Sequence, residues 1–238
     1  MWLIPLVATG IAAVFAGMLV RQFLARRGQP QLLWAISMAM FAVASAAVTI
    51  GVASGWTKSL FAVYWAFGAV LTVPFLAGGE LVLLFRRPWV RWATWIVLIF
   101  SVAFTFSVLR QASFDPLALA ERLPSGKEVL GDGSAAHRLP QLFSYPAFFI
   151  LVAGALWSAW RMRGRPELRD RFVGTLLIVI GASIVAGGSA FAAFGQVTGF
   201  IVTLVIGIAV MFWGFLRASK PVVVPDAAAV AVDASAST

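Results

Sequence analysis

The 238-residue chain has no cysteine and no asparagine, and its only histidine is His137. Without cysteine there can be no disulfide, thiolate nucleophile, Cys-ligated zinc or iron–sulfur cluster. A single histidine excludes a bis-histidine haem and a histidine-built dinuclear centre within one subunit, so no metal and no cofactor is expected. Charge is scarce as well. Charged residues make up 11% of the chain and apolar residues 61%, against roughly 25% and 45–50% in a soluble domain. Lysine is limited to Lys58, Lys127 and Lys220 beside fifteen arginines, a bias that reads as a GC-rich bacterial genome.

What is present is a succession of long uncharged runs. Each crossing of a bilayer takes about 20 apolar residues, and runs bounded by Arg, Pro and Gly predict seven spans at 2–24, 31–53, 59–85, 90–110, 144–161, 172–194 and 198–217. The expected fold class is all-α, a polytopic seven-helix bundle whose first partner is the lipid bilayer. Little chain is left for a separate soluble domain. The first segment lacks a basic n-region and a small-residue cleavage site before Arg21, which predicts a retained helix. Residues 221–238, rich in Ala, Val and Ser, predict a disordered cytoplasmic tail.

The net charge of +9 could suggest nucleic acid, but the basic residues lie at the ends of the spans, and no nucleic-acid partner is expected. With the N-terminus outside, thirteen fall inside: Arg21, Arg26, Arg27, Arg86, Arg87, Arg91, Arg161, Arg163, Arg165, Arg169, Arg171, Arg217 and Lys220. Lys58, Arg110, Arg122, Lys127 and Arg138 fall outside, where Asp115, Glu121, Glu128 and Asp132 nearly neutralise them. The positive-inside rule therefore predicts an N-out, C-in topology in a bacterial plasma membrane. Trp34, Trp89, Trp92, Trp160 and Trp213 at the inner border and Trp2 and Trp56 at the outer one agree with it.

Two inner connections share a pattern, RGQPQL at Arg27–Leu32 and RGRPEL at Arg163–Leu168, offset by 163 − 27 = 136. That offset carries the first three spans onto the last three and leaves the fourth as connector, a 3+1+3 plan of parallel repeats. Chance similarity between arginine-rich loops is the competing explanation. With Pro30-Gln31 opening the second span, the plan resembles the PQ-loop and SWEET-type sugar transporters, although the second half has Pro166-Glu167 instead. The third span, Gly68–Leu84, is similar to segments of small uncharacterised actinobacterial seven-helix membrane proteins. The first resemblance implies a transporter architecture; the second implies a family without an activity.

Candidate chemistry is confined to a few residues. Glu80 is the only acid within a predicted span, and an ionisable group in hydrocarbon normally faces a partner or a water-filled cavity. It reads either as a proton, cation or substrate-binding site, or as a structural ion pair with Arg21 or Arg91. Pro74 removes a backbone donor and leaves the Val70 carbonyl free, and Gly78-Gly79 permits close backbone approach, so these three mark a hinge or a packing point. On the sixth span, small residues four apart, Ser183 with Gly187, Ala186 with Ala190 and Gly188 with Ala192, predict a packing face. Tyr64 and Trp65 could line a ligand pocket near Glu80 or belong to the bundle core.

The outer loop 111–143 is long, and long loops are commonly functional or disordered. Asp115-Pro116 followed by LALAERL predicts a capped amphipathic helix, and SGKEVLGDGSAAH predicts turns. The loop reads as a lid or as a docking surface for a protein partner, and His137 within it as a solvated histidine. Retinal chemistry needs a lysine in the last span, which has none. The P-loop of an ATPase and the paired aspartates or Ser/His of an intramembrane protease are also missing. No catalytic constellation is found, so an enzyme is not expected. The composite reading is a membrane protein that binds or transports a small solute, with a sensor, accessory subunit or scaffold as the alternative.

Overall fold

The computed structural model describes residues 3–194 and 196–219; Trp2 and the predicted tail 221–238 lie outside them. Among the described residues the chain is helical without strands, and seven helices are long and apolar enough to cross a membrane. The protein is a multi-pass helical membrane protein. The spans are Leu3–Arg26, Gln29–Ser54, Lys58–Leu84, Pro88–Gln111, Ala135–Met162, Arg169–Ala193 and Val197–Ala218. They are called spans one to seven below.

Six spans close a ring. Span one packs on two, two on three, three on five, five on six, six on seven, and seven back on one, while span four sits outside the ring against three and five. Span four accordingly buries one stripe, Val90, Thr94, Leu98, Ser101, Thr105 and Leu109. Its other sides expose Trp92, Ile96, Ile99 and Phe100, as a lipid-facing helix does.

Spans six and seven make the closest approach in the bundle. A Cβ on Gly181 would lie 2.6 Å from the Gly207 carbonyl oxygen and 2.7 Å from Met211 N, and one on Gly174 would lie 2.5 Å from the Gly214 oxygen. One on Gly188 would overlap the Thr203 side chain. Gly174, Gly181 and Gly188 are seven apart, as are Gly207 and Gly214 on the facing helix. A seven-residue repeat keeps small residues on one seam of a left-handed helix pair. Of the expected face of small residues four apart, Gly188 lies in this seam, whereas nothing lies within 4 Å of where a Gly187 Cβ would stand. An Asp170–Arg217 ion pair at 2.8 Å ties the same two spans at their arginine-rich end.

Two expectations for the long loop change. Span five begins at Ala135, nine residues before the predicted 144, because Ser134 accepts from His137 N (3.1 Å) and starts the helix early. Arg138, Pro140 and Gln141 interrupt the hydropathy without interrupting the helix. The predicted amphipathic helix lasts one turn, Pro116–Leu119, begun by the Asp115 Oδ1 cap on Leu117 N at 2.8 Å. The stretch expected to be turn-rich also holds a second short helix, Gly126–Leu130. Asp115 N donates to the Val129 carbonyl (2.9 Å), joining the two into one cap. Its apolar side chains, Leu119, Leu123, Val129 and Leu130, are buried against the bundle.

Candidate functional site

Span three carries nearly all the candidate residues, and its backbone is irregular where they lie. It runs as α-helix over Lys58–Tyr64, as π-helix over Trp65–Leu71, and as α-helix again over Thr72–Leu84. Pro74 explains the change of register, since it has no N–H to offer Val70 and its ring crowds that turn. A carbonyl left open in a membrane interior needs a partner, and the neighbouring spans supply several. Ser144 Oγ on span five donates to the Ala69 and Val70 carbonyls (2.6 and 2.9 Å). On span two, Ser37 Oγ donates to the Thr72 carbonyl (2.8 Å) and Trp34 Nε1 to the Leu76 carbonyl (3.1 Å). The Val70 carbonyl expected to be free is thus engaged. The Ser144→Ala variant should lose about 1–2 kcal/mol of stability, as unsatisfied acceptors do, measured by thermal unfolding in detergent; an unchanged midpoint would show that the Ser144 bonds contribute nothing.

Below Pro74 the helix turns three successive residues to three neighbours. A Cβ on Gly78 would stand 3.0 Å from Thr94 Cγ2 and 3.1 Å from Leu98 Cδ1 of span four, and one on Gly79 would fall within the Trp34 indole. Glu80 points to span five, where a Cβ on Gly154 would come 2.9 Å from Glu80 Cγ and 3.6 Å from Oε1. Glu80 is buried, 8% exposed. Neither expected arginine pairs with it: Arg91 Nε donates to Gln29 Oε1 (2.9 Å), and Glu80 has no ion pair or hydrogen bond among the described residues. Gly154, which makes room for the carboxyl group, was not legible in the sequence as part of this site.

Tyr64 and Trp65 stand elsewhere. Sixteen residues separate Tyr64 from Glu80, about 24 Å along a helix axis, so one small molecule does not touch both. Trp65 is buried beneath the cap, between spans three and five. Its Nε1 donates to the Ala136 carbonyl (3.0 Å), its ring stacks on Phe61 at 5.9 Å, and Gly126 lies so close that a Cβ there would overlap the ring. His137, expected in solvent, lies in the first turn of span five and stacks on Trp65 at 6.3 Å, with its Nε2 4.0 Å from Asp132 Oδ1. Tyr64 packs on Trp56 at 5.5 Å and reaches Phe200 of span seven at 6.4 Å. Trp56 Nε1 donates to the Arg122 carbonyl (3.2 Å), a second anchor for the cap.

Among the described residues no group of three or more His, Asp or Glu side chains could hold a metal ion. No family model, no curated protein and no solved structure matches the chain. The candidate site is therefore Glu80 with its neighbours Gly79, Gly154 and Leu84, separated from an aromatic, capped end.

Proposed function

We propose that this membrane protein binds a small solute within its bundle, with Glu80 as the polar anchor, and that binding rather than catalysis is its activity. The observation that carries the reading is the solitude of that carboxyl group. It is buried, it stands on a helix whose Ala69, Val70, Thr72 and Leu76 carbonyls accept bonds from neighbouring spans, and among the described residues no basic side chain pairs with it. Burial of an unanswered carboxyl group is costly, and such groups in spans mark proton, cation or donor-bearing ligand sites.

Transport is the form of binding we favour. The order of spans around the ring supports two three-helix halves: the pairs one–two and five–six correspond, as do two–three and six–seven, and the junctions three–five and seven–one close the circle. Span four, outside, is then the connector. The arginine distribution supports a cap facing outward in a bacterial plasma membrane, with the arginine-rich end inside. A sensor or accessory role is the second reading, favoured by Leu117, which is 83% exposed on the outer surface of the cap where a protein partner could dock.

The test is a comparison of wild-type protein with Glu80→Gln, which keeps size and removes the acid. Small molecules that co-purify with equal amounts of each are extracted and identified by mass spectrometry. The expected result is a species present with wild-type protein and absent with Glu80→Gln at unchanged yield and unfolding temperature. Identical extracts would remove Glu80 as the anchor.

A further inference from the structure

The cap end of span four carries a feature that neither the ring nor the Glu80 site uses. Along its outward side Ala103, Phe106, Ser107, Arg110 and Gln111 line a shallow, open groove. The residues recur at the three- and four-residue spacing of a single helix face, and they are graded. Ala103 and Phe106 are apolar and lie toward the middle of the span, with the Phe106 ring held edge-on by Phe67 at 6.0 Å. Ser107, Arg110 and Gln111 are polar and occupy the last turns of the helix, which ends at Gln111.

The polar end has donors to spare. Gln111 Nε2 is turned back onto the Ser107 carbonyl at 3.3 Å, but the Arg110 guanidinium and the Ser107 hydroxyl have no hydrogen bond or ion pair among the described residues. The acid next along the chain, Asp115, directs Oδ1 at Leu117 N and belongs to the cap. A free guanidinium beside a free hydroxyl, at the head of an apolar groove at the membrane border, complements a phosphate with a hydrocarbon chain beneath it.

We propose that this groove binds one anionic phospholipid, its phosphate on Arg110 and Ser107 and an acyl chain along Phe106 and Ala103. The site is independent of Glu80 and lies on the face of span four away from the stripe that packs on the bundle. Its chemistry distinguishes headgroups by net charge, since Arg110 is answered fully by an anionic lipid and only in part by a zwitterionic one.

The experiment is native mass spectrometry of the full chain released from detergent with equimolar phosphatidylglycerol and phosphatidylcholine of identical chains. One phosphatidylglycerol should be retained in preference to phosphatidylcholine by about five-fold, the effect of one basic residue at a membrane surface. Arg110→Gln should abolish the preference. Ala103→Trp, which fills the groove, should lower retention of both lipids. Arg138→Gln removes an exposed positive charge elsewhere at the cap end and should leave the preference intact. The proposal is overturned by equal retention of the two lipids in the wild type, by an equal loss with Arg138→Gln, or by a dimer of the chain in place of a lipid adduct.

Discussion

Gly181→Ala should lower stability by about 1–3 kcal/mol, and Gly181→Leu should yield no monodisperse protein at all. The added Cβ meets the flexible Met211 side chain at 2.5 Å but also backbone: the Gly207 oxygen at 2.6 Å and Met211 N at 2.7 Å. Neither backbone atom can turn aside, so spans six and seven must part along the seam, and the neighbouring contacts at Gly174 and Gly188 weaken with them. Gly187→Ala is the matched control, with open space at its Cβ and an expected change within about 0.5 kcal/mol. Unfolding of the purified variants in mixed detergent reads both. Equal midpoints for Gly181→Ala and Gly187→Ala would mean that the seven-residue seam does not hold these helices.

The second large effect belongs to the cap. Trp65 is 9% exposed; it ties span three to the first turn of span five by its hydrogen bond to Ala136 and its ring contact with His137, and it touches the cap through the close fit of Gly126. Trp65→Ala removes a side chain whose truncation typically costs about 3–5 kcal/mol. Because Gly126 alone of these contacts belongs to the cap, only part of the cost falls on cap closure, and the open population should rise by about tenfold. Limited trypsin cleavage at Arg122 and Lys127 should accelerate accordingly while the spans stay intact. A cleavage rate equal to that of the wild type would show that the cap is held elsewhere, with the Trp56–Arg122 bond as the next anchor to test.

How far these features could be read beforehand depends on their range. Hydropathy is local, so all seven spans were legible, and the Asp115-Pro116 cap was legible because capping is settled within four residues. Span five was started too late because Arg138 and Pro140 look like a loop, whereas the cap above them lets the helix extend past the apolar run. Gly188 of the glycine seam was legible as part of a small-residue face, but the seven-residue spacing was not, because the choice between the two spacings is made by the facing Gly207 and Gly214. Glu80 was found from its charge alone. Its lack of a partner was not legible, since whether Arg21 or Arg91 reaches it depends on side-chain paths between helices, as does the room that Gly154 leaves for it.

The station of span four outside the ring has a further consequence. The six ring helices close on one another without it, so what it contributes to the architecture is parity: a single extra crossing that returns the chain to the side from which it set out. Removing it while keeping the flanking connections would present spans five to seven upside down to spans one to three. Ser144 would then face the wrong end of its carbonyls, and the circle could not shut.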